Sequence, residues 1–170
     1  MTNRLRNERG ITLMEMMAAV VVIGIVSSMA YPRFENAVDR LEFRSTSREM
    51  LSTFRLARSL AITEKNDYGV SIASGAKKTV TLFKDIANPG LNTYESAGDS
   101  AISVDTLGKD IIWIGSDCLN DVITFKPNGS SGFTGGGNLW TIAMTEDLTA
   151  VSWHSILAST GRVNAQNWVY

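Results

Sequence analysis

Residues 11–30 read ITLMEMMAAVVVIGIVSSMA, twenty residues with one charge, Glu15. At about 1.5 Å per residue this run makes roughly 30 Å of helix, one bilayer core. A carboxylate there opposes insertion, by roughly 2.5–3.5 kcal/mol at mid-membrane and less near an end. An acid in such a segment is therefore a functional residue, and it needs a partner. Before the run stand Met1 to Gly10, MTNRLRNERG, basic through Arg4, Arg6 and Arg9 against Glu8. Such a charge bias holds a leader in the cytoplasm. A cut after Gly10 leaves Ile11 with a positive α-amine. Glu15 lies four residues on, one helical turn away on the same face. The amine pairs with Glu15 of the same copy or of a neighbour, which neutralises the acid and sets the register between helices.

Gly10, Thr12-Leu13, Glu15 at the fifth mature position, the apolar run and Tyr31-Pro32 together resemble the class III signal of type IV pilins and pseudopilins. The family usually begins its mature chain with Phe, where Ile11 stands here. The resemblance implies cleavage by a prepilin peptidase after Gly10 and methylation of Ile11. It also implies packing of the helix with other pilins or pseudopilins in a filament. Two other readings stand beside it. Ser28-Met29-Ala30 is a small-x-small site, so a secretory signal cut after Ala30 would release a soluble protein. Its apolar region would run to twenty residues, against the roughly 7–15 of ordinary signals. The other reading is an uncut membrane anchor.

The 170 residues carry 16 basic and 17 acidic side chains. Removing the leader's three basic residues and one acid leaves the mature chain at −3. This balance offers no bulk attraction to nucleic acid. The one cysteine, Cys118, has no second cysteine in the chain to bridge to, and a buried thiol is expected.

Pro32 is expected to kink or interrupt the helix. Beyond it Phe34, Val38, Leu41, Met50, Phe54, Ala57 and Ala61 mark one face of a second, amphipathic half ending near Asn66-Asp67. The two halves together would span roughly 80 Å. After Asn66 the period becomes two. Strands are expected at 68–73, 79–85, 101–104, 110–114, 122–126, 139–145 and 149–157, with a short one at 167–170. Trp140, Ile142 and Met144 form one face, as do Val151, Trp153 and Leu157, and both faces are expected to pack on the helix stripe. Turns are expected at Ser74-Gly75, Asn88-Pro89-Gly90 and Asn128-Gly129, with a loop over 88–99.

The fold class is therefore α+β: a long N-terminal helix, transmembrane in its first half and amphipathic in its second, packed on a C-terminal antiparallel β-sheet domain. Its parts are a leader at 1–10, a membrane and filament-core helix at 11–31, an amphipathic helix at 32–66 and a periplasmic β-rich domain at 67–170. Leu56-Ala57-Arg58-Ser59-Leu60-Ala61, then Ile123-Thr124-Phe125 with Gly129, then Ser159-Thr160-Gly161-Arg162-Val163 resemble in their order the GspH/FimT family of minor pilins and pseudopilins. The resemblance implies a structural and assembly role, not an enzyme, in the bacterial inner membrane and then a filament. Tyr31-Pro32-Arg33-Phe34 and Ser159–Val163 look more like a type IV pilus component than a type II secretion one.

The chain supplies little catalytic chemistry. His154, its one histidine, has no second His or nearby Cys for a metal set, and is expected on the surface, alternating away from Trp153. The glycine-rich stretch 129–137 lacks the Lys-Ser/Thr of a phosphate loop and any helix pattern after it, and is expected to be a hairpin loop. No catalytic residue, metal or cofactor is expected. Arg162 is the exposed candidate for a ligand. In DNA-uptake relatives a C-terminal Gly-Arg-x-Arg pattern contributes to DNA binding. Here Gly161-Arg162-Val163-Asn164 keeps the first Arg and replaces the second, which weakens phosphate contact.

Overall fold

The computed structural model describes residues 11–75, 77–108, 111, 113–132, 135–143 and 150–169. The chain divides into two compact units, Met1–Asp39 and Arg40–Tyr170. One helix, α1 (Leu13–Glu64), contributes to both.

In the first unit, α1 begins at Thr12. The Glu15 N–H donates to the Thr12 hydroxyl (3.2 Å) and to the Thr12 carbonyl (3.1 Å). Thr12 is thus the N-cap of the helix, satisfying one of its orphan donors. The expected interruption at Pro32 is absent, since α1 is assigned without a break through it. Proline removes one N–H from the ladder, and the turns on either side carry the helix past that single loss.

In the second unit, one face of α1 is closed to solvent: Phe43, Ser47, Met50, Phe54, Ala57 and Ala61, at successive spacings of 4, 3, 4, 3 and 4. This is the interior stripe of an amphipathic helix. Met50 to Ala61 stand where the periodicity puts them. Phe34, Val38 and Leu41 do not, being 70%, 43% and 65% exposed. The core begins at Phe43, in a different phase from those three apolar residues. The helix stops where Lys65 takes a positive φ of 57° and the Asn66 side-chain amide donates to the Glu64 carbonyl (2.8 Å). Glu64 also accepts from the Tyr68 hydroxyl and pairs with Lys84 at 3.2 Å, which pins the first two strands to the helix end.

Nine strands follow among the described residues: β1 (Tyr68–Ser74), β2 (Lys78–Lys84), β3 (Ser100–Thr106), β4 (Trp113–Cys118), β5 (Val122–Phe125), β6 (Ser131–Gly132), β7 (Gly135–Ala143), β8 (Ala150–Leu157) and β9 (Arg162–Val169). They form two antiparallel sheets rather than one. The first has order β3-β2-β1-β5-β6 and the second β4-β7-β8-β9. Both contribute to the core that contains the helix stripe: Tyr68, Val70, Leu82 and Phe125 from the first, Ile114, Ile156 and Val163 from the second. Burying each large side chain contributes roughly 1.5–3 kcal/mol. The sheets meet where the Ser131 N–H of β6 donates to the Ala158 carbonyl after β8 (2.8 Å).

On the other face of the first sheet, Gly69 stands opposite Phe83, and a Cβ at Gly69 would lie 2.3 Å from the Phe83 ring. The glycine therefore lets the ring lie flat across β1. The loop expected over 88–99 starts earlier and runs over 85–99. It covers this face through Tyr94, its ring tilted against Phe83 at 4.8 Å between centroids, and Asn92, which accepts from the buried Thr124 hydroxyl. Asn88-Pro89-Gly90 is a turn closed by the Leu91 N–H on the Asn88 carbonyl (3.1 Å), with Gly90 at φ 94°.

Two further expectations change. Within the stretch 129–137, Ser131–Gly132 is strand β6, paired with β5, and β7 starts at Gly135. Pairing supplies the order that glycine content alone argues against. The face of β8 is also reversed. Ser152, His154 and Ile156 are closed to solvent, while Trp153 is 39% and Leu157 54% exposed. His154 is thus a core residue, not a surface one. Strand side chains alternate, so the choice of one residue decides all of them. Here the less apolar face goes inward, because the helix offers it polar partners. Side chains of residues 133–150 lie outside those described, so the expected face of Trp140, Ile142 and Met144 does too. Asp110 and Ile112, at the start of the expected fourth strand, are likewise outside.

Candidate processing and assembly segment

The first unit presents Leu13–Tyr31, nineteen residues of mean hydropathy 2.1, none of it buried within the protein. It is long and apolar enough to cross a membrane, which suits an anchor or a processed signal. Ile11 precedes it, 71% exposed. Glu15 sits in the first helical turn, exposed, where the helix dipole favours a negative charge. The spacing Thr12-x-x-Glu15 is that of a capping box, a local reason for an acid at this position that membrane reasoning missed. The hydroxyl of Thr12 makes its half of the box. Gly10, the residue expected before the scissile bond, lies outside the described residues.

Arg162 opens β9, exposed, beside a different set of groups. It lines a cavity of about 300 Å³ with Arg55, Arg58, Gly161 and Val163. Arg58 donates its Nε–H to the Gly129 carbonyl at 3.1 Å. Gly161 has φ 60°, and a Cβ there would lie 2.3 Å from that same carbonyl. Glycine at 161 thus allows the turn after β8 to close on the loop before β6, with the Arg58 guanidinium held against both. Arg55 and Arg58 are one turn apart on the helix, a spacing that placed them on one face; their meeting with Arg162 needed the tertiary fold. Asn164, two residues along β9, is exposed and uncharged.

The core contains a serine–histidine arrangement that the sequence did not suggest. The Ser47 and Ser152 hydroxyls are 2.6 Å apart, and His154 Nε2 lies 3.0 Å from the Ser47 carbonyl and 3.4 Å from its hydroxyl. Nε2 donates to the carbonyl, which leaves Nδ1 as the acceptor nitrogen. Nδ1 has no hydrogen-bond partner among the described residues. Burial pushes the imidazole pKa down, partly offset by the Ser47 carbonyl. With Ser152 and His154 fully buried and Ser47 nearly so, no substrate reaches a serine here. Among the described residues no three His, Cys, Asp or Glu side chains gather as metal ligands.

A family model described as a prokaryotic N-terminal methylation motif matches residues 5–31. No curated protein and no solved structure matches the chain. The motif implies processing by an enzyme of the prepilin peptidase type. The methylation motif, joined to a long N-terminal helix packed on antiparallel β-structure, is the arrangement of pilin-like folds.

Proposed function

We propose that this chain is a minor pilin or pseudopilin of GspH/FimT type, cut after Gly10 and methylated on Ile11. Residues 1–10 are the leader, 11–31 the inner-membrane and filament-core helix, 32–66 its amphipathic continuation and 67–170 the periplasmic domain. The observation that carries this reading is the methylation motif over 5–31, which coincides with a helix wholly exposed along Leu13–Tyr31. An apolar surface of that length requires lipid or neighbouring helices. Between filament systems we favour the type IV pilus, on the resemblance at 31–34 and 159–163.

Glu15 has two roles in this reading. Before processing it opens the helix with Thr12. After processing it pairs with the Ile11 amine of its own or a neighbouring copy. Intact mass and N-terminal sequencing of the membrane-extracted protein test the cut. The expected mature chain starts at methylated Ile11, and Gly10→Asp retains the full precursor. A mature chain starting at Tyr31 overturns the reading. Glu15→Val is expected to insert normally or better yet fail in assembly; full filament function in that variant removes the register role.

A further inference from the structure

We infer that Arg55, Arg58 and Arg162 form a binding site for a carboxylate presented by an acidic segment of a partner protein. Three arginines line one cavity of about 300 Å³. Among the described residues no carboxylate pairs with any of them; the ion pair present is Lys84 with Glu64. Like charges gathered in one place repel, and an incoming anion relieves that repulsion.

The cavity is built rather than incidental. The Gly129 carbonyl orients Arg58 through Nε, so the plane of its guanidinium is set before any ligand arrives. Gly161 makes the close approach of turn and loop, since any side chain there would strike that carbonyl. A pre-set fork loses little freedom on binding and matches a carboxylate with two parallel hydrogen bonds. Arg55 and Arg162, both exposed, flank it and are free to close on the same group.

The shape favours a point anion over a nucleic-acid strand. Strand binders track the backbone with an extended basic groove and stack bases on aromatic rings. Among the described residues this cavity is lined by arginines, a glycine and a valine, with no aromatic ring. The next side chain along β9 on the same face is the neutral Asn164. A protein acid is the complementary partner. That the partner is a neighbouring filament subunit rests on the reading above; the carboxylate chemistry does not.

The test uses the full-length chain in detergent micelles and fluorescence anisotropy with three labelled probes: an octaglutamate peptide, an octaglutamine peptide and a short DNA duplex. Octaglutamate is expected to bind and octaglutamine not. Arg55→Gln and Arg162→Gln are each expected to weaken octaglutamate about tenfold or more, the loss of one hydrogen bond to a charged group. Both side chains are exposed, so thermal unfolding is expected to stay unchanged. Absence of octaglutamate binding overturns the inference, as does binding indifferent to both substitutions. Tighter binding of the duplex through the same arginines also overturns it, in favour of phosphate. None of these outcomes depends on cleavage after Gly10, so failure here leaves the pilin reading intact.

Discussion

The Ser47 hydroxyl of α1 meets the Ser152 hydroxyl of β8 at 2.6 Å, inside the core, 105 residues apart in the chain. This contact fixes which face of the second sheet lies on the helix. Two small side chains let strand and helix approach closely, and one hydroxyl donates to the other. His154 enters the same space one pleat further on, with its ring tilted against Phe54 at 6.4 Å.

His154 makes stability depend on pH. Its folded pKa is pushed below the ordinary 6.5 by burial, so the native ring is neutral where the unfolded ring binds a proton. The unfolded state then holds more protons, and stability falls as pH drops below about 6.5 toward the folded value. Above that range the contribution is constant. Urea unfolding of the full-length chain at pH 7.5 and 5.5 is expected to show the loss, and His154→Gln is expected to flatten this part of the profile.

Asp85 acts in the opposite direction. It is 4% exposed, and neither oxygen has a close hydrogen-bond partner among the described residues. Burial and the Asp99 charge push its carboxyl up, with a smaller push from Asp67 and partial relief from the Gly90 and Asn88 amides. Asp99 stays charged because the amides of Ile86, Ala87 and Glu95 hold it. The native state therefore holds Asp85's proton to higher pH than the unfolded state does. Its stabilising effect is complete below about 3.8 and lost as pH rises through the folded value. Asp85→Asn is expected to raise the melting temperature at pH 7.5, and the gain is expected to shrink at pH 4.

Phe54 is fully buried between the helix and the second sheet. Phe54→Ala is expected to destabilise by about 3–5 kcal/mol, through lost transfer energy and the cavity left behind. Denaturant titration measures this. A loss under about 1 kcal/mol would mean that the core closes over the gap.

Cys118 is 6% exposed, and burial pushes its thiol up to about 11. Only thiolate reacts with alkylating agents. Iodoacetamide at pH 8 is expected to label the native chain far more slowly than the chain in guanidinium. Equal rates would contradict the placement of Cys118 in the core.

The membrane-length helix, its continuation and the α+β order were legible because each rests on local pattern. An apolar run of twenty residues reads the same in any context, and so does Met50-Phe54-Ala57-Ala61 at helical spacing. Period-two alternation located most strands within a few residues. Which face turned inward was not legible on β8. Val151, Trp153 and Leu157 are the more apolar side, and hydrophobicity alone puts them in the core. The tertiary structure reversed that choice, because Ser47 gives Ser152 a hydrogen bond that no residue near it in sequence could supply. The division into two sheets was hidden for a related reason: the Ser131–Ala158 bond that joins them closes 27 residues of chain. Arg162 could be singled out from its own neighbours, but not its companions. Arg55 and Arg58 reach it only because Gly161 and Gly129 let two turns close on the helix, a contact set by backbone geometry 71 or more residues farther along the chain than Arg58.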